Sequence, residues 1–442
     1  MRRAPAPLAA LASLAVCSSA LAVDRSGVAL DNSAALSTGA VVSTIRSGGA
    51  IWYNPAGLGG NVRDKLDVSL SAFVLRDRRT DGAIKGRLSE DLEARSDLDS
   101  LQLSSVPSAL VFSRRIDDRI TLGLGIFVPK MDVNRVAATT PIDAPGVSYV
   151  QRGEFDRLTQ RYAAGPAIGW ALSPRLRLGA ALFGIYETDS AGARIWSRLD
   201  VDGVEGPAST LLIQLDGSVD RFGARPVVGV QYEPADGWHL GLTLRGPIVR
   251  FTALAEGTSL FQVAGAGQTP ESEFADEGVV DGESFGLMDP ASAHGGVAFP
   301  FAGGQLAIAA EFRLGLDDPD AERSFSPVWN LQVGGLWPVS DTVDIGAGLF
   351  TDHSAEEKAD ELWTERIDFY GVTGGVRLRD PLTLSGGGEL IFETTIGLRY
   401  ALGAGEVGGL ALDYTSDALL EGLTIDVVHH TLALHVGSAL LF

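Results

Sequence analysis

Between residues 119 and 128 the chain alternates without a break. Ile120, Leu122, Leu124, Ile126 and Val128 fall on one parity. Arg119, Thr121, Gly123, Gly125 and Phe127 fall on the other. Successive strand residues point to opposite faces, so the pattern predicts a strand with one apolar face. The same period returns at 175–186, where Leu176, Leu178, Ala180 and Leu182 oppose Arg175, Arg177, Gly179 and Ala181. It returns at 239–245 and again at 305–314, where Leu306, Ile308, Ala310, Phe312 and Leu314 oppose Gln305, Ala307, Ala309, Glu311 and Arg313. Such segments place strands near 64–76, 104–116, 119–129, 157–171, 174–188, 220–233, 237–252, 291–300, 304–315, 326–337, 341–352, 366–379, 389–403 and 425–442. That is about 14 strands, each long enough for a tilted membrane-spanning strand of about 9–11 residues. No stretch after the leader is long and apolar enough for a membrane-spanning helix.

The connections carry a second pattern. Short turns fall at Asp117-Asp118, Ser173, Pro234–Gly237, Gly303 and Ser340. Long links fall at 77–103, 130–156, 189–219, 253–290, 316–325, 353–365 and 404–424, and the 380–388 connection is of middling length. Short and long alternate along the chain. Outer-membrane barrels have short periplasmic turns and long external loops. A periplasmic N-terminus puts every long link outside. The last strand sets Leu432, Leu434, Val436, Leu440 and Phe442 on one face and ends on Phe442. A terminal aromatic there resembles the signal read by the barrel assembly machinery; the plainer reading is a buried terminal strand. The predicted fold class is all-β, a transmembrane antiparallel β-barrel of about 14 strands with an N-terminal plug.

Residues 1–22 read as a cleaved signal peptide. Arg2 and Arg3 precede an apolar run from Pro7 to Val16, and Ala20-Leu21-Ala22 offers an A-x-A site. Leu14-Ala15-Val16-Cys17 fits a lipoprotein site poorly, because Val16 stands where a small residue is wanted. Cys17 is the only cysteine, so disulfides do not hold the exported chain. The barrel is expected over 64–442. Residues 23–63 do not alternate; they hold Gly27, Gly39, Gly48, Gly49, Gly57, Gly59 and Gly60, with room for a short helix near Ser33–Ser43. A barrel of this size encloses more space than wall side chains fill, so this segment is expected inside it.

Ala50-Ile51-Trp52-Tyr53-Asn54-Pro55-Ala56-Gly57-Leu58 stands just before the first strand. Its core, Tyr53-Asn54-Pro55-Ala56-Gly57-Leu58, resembles the hatch motif of the FadL-type family, outer-membrane transporters of long-chain fatty acids and aromatic hydrocarbons. Ile45-Arg46-Ser47-Gly48-Gly49 stands where family members often carry acidic residues. The resemblance implies passive uptake of a hydrophobic solute, with hatch movement and sideways release into the membrane. Physically, Pro55 fixes its own φ and biases Asn54 away from the helical region. The Asn54 amide is free to tie neighbouring backbone. Read without the family, the motif is a tight turn into the first strand.

Composition narrows the rest. The chain of 442 residues carries 35 basic and 56 acidic residues, a formal charge of −21. Nucleic acid as a partner is excluded, because neutralising phosphates needs clustered Lys and Arg. The expected partners are hydrophobic small molecules and outer-membrane lipid. Ile51, Trp52, Leu260 and Phe261 are the candidate ligand contacts, with Val263, Leu211, Leu212 and Ile213 as further apolar residues in long links. A small loop core is the plainer account of each cluster. Arg161, Arg175, Arg177, Arg245, Glu311, Arg313, Glu393 and Arg399 fall on inferred lumen positions. An inward arginine could meet a carboxylate; mutual pairing is the simpler reading. His239, His294 and His435 fall inward, and His429 and His430 point to opposite faces. No metal spacing, cofactor motif or nucleophile elbow is present, so no metal, no cofactor and no enzyme are expected. Asp317-Asp318-Pro319-Asp320 fits a solvated loop better than a Ca²⁺ loop. The alternative function is a general porin or a surface barrel with no transport role.

Overall fold

The computed structural model describes residues 29–61, 63–89, 91–203, 208–234, 237–264, 271–282, 286–318, 323–356, 365–383, 389–413 and 420–442. The signal peptide expected over 1–22, Cys17 with it, lies outside the described residues. The strands form one closed antiparallel barrel of 14 strands. They are β1 (Lys65–Thr80), β2 (Ser100–Arg115), β3 (Ile120–Ala144), β4 (Val147–Ala171), β5 (Leu176–Val201), β6 (Ser209–Tyr232) and β7 (His239–Arg245, resuming as Ile248–Ala264). Then come β8 (Glu271–Gly282, Gly286–Asp289 and Ser292–Phe301), β9 (Gly304–Arg313), β10 (Val328–Ser340), β11 (Val343–Asp352), β12 (Glu365–Thr383), β13 (Glu389–Asp413) and β14 (Leu420–Leu441). Closure comes from β1 pairing with β14, from Lys65↔Leu441 to Thr80↔Val427. A closed ladder leaves no edge strand with unpaired backbone, which hydrocarbon would penalise.

The alternation sorts the side chains. Leu122, Leu124 and Ile126 on β3 and Leu240, Leu242 and Leu244 on β7 point outward and stand exposed. Their opposite-parity neighbours point into the lumen. An apolar exterior on a closed barrel suits a bilayer. Aromatic residues mark its two edges. Tyr162, Tyr186 and Phe222 form a row away from the chain ends, with Tyr186 at 6.1 Å from Tyr162 and 4.9 Å from Phe222. Trp238 stacks on Phe299 at 5.3 Å near the short-turn rim. Among the described residues no helix is long and apolar enough to cross a membrane.

The parity of connections holds, but four long links are not loops. β3 and β4 run on through 130–156 and join at a tight turn, where Gly146 takes a φ of 81° that side chains disfavour. β5 and β6 likewise extend through most of 189–219, β7 and β8 through most of 253–290, and β13 and β14 through most of 404–424. Leu211, Leu212, Ile213, Leu260, Phe261 and Val263 are therefore strand residues. Alternation faded there because an outer face above the bilayer need not be apolar. The 77–103 link carries a hairpin, Ile84–Ser89 with Leu92–Ser96, whose first strand pairs in parallel with Leu410–Asp413 of β13. Leu316–Asp318 pairs with Arg323–Phe325; Pro319 and Asp320 lie outside the described residues. The helix expected near Ser33–Ser43 is shorter: α1 spans Asn32–Ser37 and stops at Thr38, whose φ is 62°.

Candidate functional site

Residues 29–61 pack inside the barrel near the rim that holds the short turns and both wall ends. α1 is capped by Asp31, whose Oδ1 accepts from Ser33 N at 2.7 Å and Ala34 N at 3.1 Å. Its Oδ2 accepts from Ser47 Oγ at 2.6 Å and Gly49 N at 3.2 Å. One buried carboxylate thus ties the two halves of the segment. After α2 (Ala50–Tyr53), Pro55–Gly60 forms a 3₁₀ turn. Asn54 is fully buried between them. Its Nδ2 donates to Val42 O at 2.7 Å and, across to the β6 wall, to Val230 O at 3.0 Å. Its Oδ1 accepts from Ala56 N at 3.1 Å.

The wall meets this segment with small residues. Gly169, Gly179 and Gly229 sit in register across β4, β5 and β6. A Cβ on them would collide with Leu58–Gly59, with the Pro55–Ala56 backbone and with the Asn54 amide respectively. Across the barrel, Gly346, Gly375 and Gly397 form a second row on β11, β12 and β13 against Leu36 and Ala35. At Gly169 and Gly179 only glycine lets two backbones approach so closely. Wall side chains then hold the segment by its carbonyls. Gln231 Nε2 donates to Val42 O and Ile45 O, both at 3.2 Å. Thr243 Oγ1 donates to Tyr53 O at 2.9 Å and Thr373 Oγ1 to Leu36 O at 3.3 Å. Asn32 Oδ1 lies 3.1 Å from His435 Nε2 and 3.3 Å from Ser69 Oγ. At the rim Arg46 and Arg177 both pair with Glu233, the latter at 2.7 Å.

Above the segment the lumen is layered, as the register along β5 shows. Phe183 and Ile185 come first. Trp52 of α2 packs between Phe127 and Phe183 at 5.3 Å from each ring, and those two rings meet edge-on at 5.9 Å. Glu187 and Asp189 come next, in a belt of ion pairs. Arg161 meets Glu187 at 2.6 Å and Asp289 at 3.6 Å, Arg221 meets Glu187 at 3.3 Å, and Arg157 meets Asp189 at 3.1 Å. Arg225 also pairs with Asp289. Glu311 lies 3.4 Å from both Arg245 and Arg313. With the buried Lys130, among the described residues seven basic groups of this belt face four carboxylates, an excess of three positive charges in a chain of strongly negative total. A cavity opens here, lined by Trp52, Tyr53, Pro129, Lys130, Arg245 and His294 among others. Higher still, Ile195, Ile213, Leu211 and Phe155 pack with Ile84 of the first-loop hairpin.

One side of the wall is broken at this height. β2 pairs with β3 only from Arg115↔Thr121 to Ala109↔Phe127. β3 shifts register between Phe127 and Lys130, and β1 between Ser71 and Phe73. Pro129 has no amide hydrogen to give a ladder. Beyond Phe127 the β2–β3 ladder stops, and Arg76 reaches from β1 to Ser104 Oγ at 3.1 Å and to Met131 O at 3.0 Å. The cavity reaches this break, since Pro129 and Lys130 line it.

The residues expected to form a site are only partly together. Ile51, Trp52, Tyr53, Asn54, Pro55, Ala56, Gly57 and Leu58 form one continuous patch of the inner segment. Leu260 and Phe261 lie far from it, high on β7, and take opposite faces. Phe261 packs against the upper apolar cluster opposite Ile213 and Leu260 does not, so the two make no joint patch. Arg161, Arg177, Arg245, Glu311, Arg313, Glu393 and Arg399 face the lumen, whereas Arg175 is exposed in the rim turn before β5. A turn residue has no strand parity, which is why alternation misplaced it. Phe442 follows β14 and is half exposed, its amide donating to Asp64 O at 3.1 Å. Phe127, Phe183, Glu187 and Asp289 were missed. Pro129, a proline within an otherwise regular strand, was the available signal for the break. Among the described residues no group of three or more His, Cys, Asp or Glu is placed to hold a metal ion.

No family model matches the sequence, and no curated protein does. Solved structures do match. A FadL homologue of Pseudomonas aeruginosa superposes with a TM-score of 0.55 at 14% identity, over 93% of this chain and 98% of that one. The toluene transporter TodX of Pseudomonas putida gives 0.53 at 13%, over 94% and 99%. The monoaromatic hydrocarbon channel CymD gives 0.51 at 12%, over 93% and 99%. At these identities it is the fold that is shared, along the whole described chain.

Proposed function

We propose that this protein is a bacterial outer-membrane channel for passive uptake of long-chain fatty acids or other hydrophobic compounds, with hatch-gated release sideways into the membrane. One observation carries the reading: the axial path is filled by residues 29–61, and just above that filling the wall loses its β2–β3 ladder. A solute that cannot go straight down meets an opening toward lipid. An apolar solute gains free energy by leaving water for hydrocarbon, so no energy source is needed. Trp52, Phe127, Val128 and Met131 make the approach to the break apolar. The positive excess of the belt supports a carboxylate-bearing solute, because Arg holds carboxylates with paired hydrogen bonds. Two solved proteins of this fold, a toluene transporter and a monoaromatic hydrocarbon channel, support the hydrophobic class.

In this reading residues 1–22 are the export signal, 23–63 the hatch and 64–442 the barrel, with Phe442 read by the barrel assembly machinery. Deleting residues 23–60 is expected to change oleate uptake by whole cells; unchanged uptake counts against the reading. The charged belt also favours a second reading, a porin for small anions. Planar-bilayer conductance separates the two. A porin passes a large steady ionic current, and a hatch-filled barrel passes little.

A further inference from the structure

We propose that the hatch body is a fixed floor, and that the Trp52 side chain, held by Arg245, is the gate of the wall opening and sets the size of what leaves. The inference rests on the lateral-release reading.

The body of the hatch is held all round. The glycine row on β4–β6 meets its backbone and the Asn54 amide, and the row on β11–β13 packs on Leu36 and Ala35 from the opposite side. Gln231, Thr243, Thr373 and Asp67 bond its backbone from four different strands, Asp67 accepting from Gly48 N at 2.7 Å. Shifting this body by one ångström breaks these bonds together, and close-packed interfaces do not deform gradually. Trp52 differs. Its ring is half-buried and lines the cavity beside Pro129 and Lys130. It covers Phe127, the last β3 residue paired to β2. It holds its place by ring contacts, which a side-chain rotation gives up without disturbing backbone. Arg245 clamps it: Nη2 donates to Trp52 O at 3.2 Å and the guanidinium lies 5.7 Å from the ring centre. Arg245 also pairs with Glu311 across the cavity. An incoming carboxylate competes for that same guanidinium, so arrival of an anionic solute loosens the clamp on the ring.

The test uses the full-length protein in liposomes with two probes, oleate and the bulkier pyrene-decanoate. Trp52→Ala and Arg245→Met are expected to raise pyrene-decanoate flux roughly tenfold, the factor given by losing ring contacts of this kind. Oleate flux changes far less, and a merely structural role would not split the probes. Trp52→Phe keeps a ring and is expected to fall between wild type and Trp52→Ala, a graded readout should the alanine variant fold poorly. A second arm pins the hatch. A Cβ on Gly397 would lie 3.5 Å from the Ala35 Cβ, within the span of a disulfide. In a Cys17→Ser background, oxidised Ala35→Cys/Gly397→Cys is expected to carry both probes at wild-type rates. Flux lost on oxidation and restored by reductant overturns the fixed floor. Unchanged probe selectivity in all three Trp52 and Arg245 variants overturns the gate. Wild-type protein that carries neither probe overturns the channel reading itself, and is seen before any variant is made.

Discussion

The lower and upper halves of the lumen are filled in opposite ways. Below Phe183 the wall offers glycines and polar side chains such as Gln231, Thr243 and Thr373, and the filling is backbone: a chain segment held by its own carbonyls. Above Glu187 the wall supplies large side chains of its own. Ile195, Ile213, Leu211 and Phe155 build one apolar face, and Ile367, Phe369 and Ile425 build another. The first-loop hairpin enters between them, with Ile84 in one cluster and Ala83, just before it, in the other. Backbone filling brings many directed hydrogen bonds and tolerates no displacement. Side-chain filling is non-directional and reversible. The same barrel therefore has a tightly fitted floor and an upper lumen where, among the described residues, the first-loop hairpin is held by side-chain contacts.

The comparison breaks most sharply at the floor. Gly179→Leu drives a side chain into the Pro55–Ala56 backbone. We expect loss of the folded barrel, read by heat-modifiable migration on gels. Gly184→Ala, outward on the same strand, meets only Ala164 O at 3.7 Å. It is expected to stay within about 0.5 kcal/mol of wild type. If the two behave alike, the floor is not the tight fit described.

At the boundary between the halves, Glu187 is fully buried between Arg161 and Arg221. Glu187→Gln leaves both cations short of a partner. The expected cost is about 3–5 kcal/mol, in urea unfolding from micelles. A smaller cost would mean that water already screens the belt. Within the floor, Asn54→Ala removes the donor to Val42 O and Val230 O and the acceptor for Ala56 N. About 1–3 kcal/mol is expected, with faster hydrogen exchange confined to 42–61.

The mouth gives the smallest effect. Glu93 sits on the hairpin among Arg87, Lys85 and Arg95, at 2.8, 3.1 and 3.1 Å. Hydrogen bonds to Arg87 first, then Lys85 and Arg95, hold its carboxyl down at about 2, from an ordinary 4.5. A depressed carboxyl stabilises fully above the unfolded value and loses that contribution as pH falls through the folded one. The hairpin should therefore hold from neutral pH to about 4.5 and loosen between there and about 2. The carboxylate is exposed, so water screens most of the gain. Hydrogen exchange at 84–96 reads the change, and equal loosening of 42–61 in that window would erase the contrast between floor and mouth.

The alternating stretches, the parity of their connections and the turn-forming Asn54-Pro55 could be read from the chain. Each is local: a side chain's face follows from its parity, and a turn from its own backbone limits. The strand extensions were not legible, because Val133 to Thr140 alternate weakly once no lipid demands an apolar outer face. Leu260 and Phe261 looked like one cluster in sequence and split across two faces in space.

The sequence by itself determined a closed, outward-apolar barrel and a segment that could not be one of its strands. It also contained 54 glycines without saying what any of them faced. Where that segment lies, that glycines 169, 179 and 229 align against it, that Glu187 meets two arginines, and that the β2–β3 ladder stops at Phe127 were decided by tertiary structure. Register across strands far apart in sequence sets which residues meet, and no local pattern encodes it.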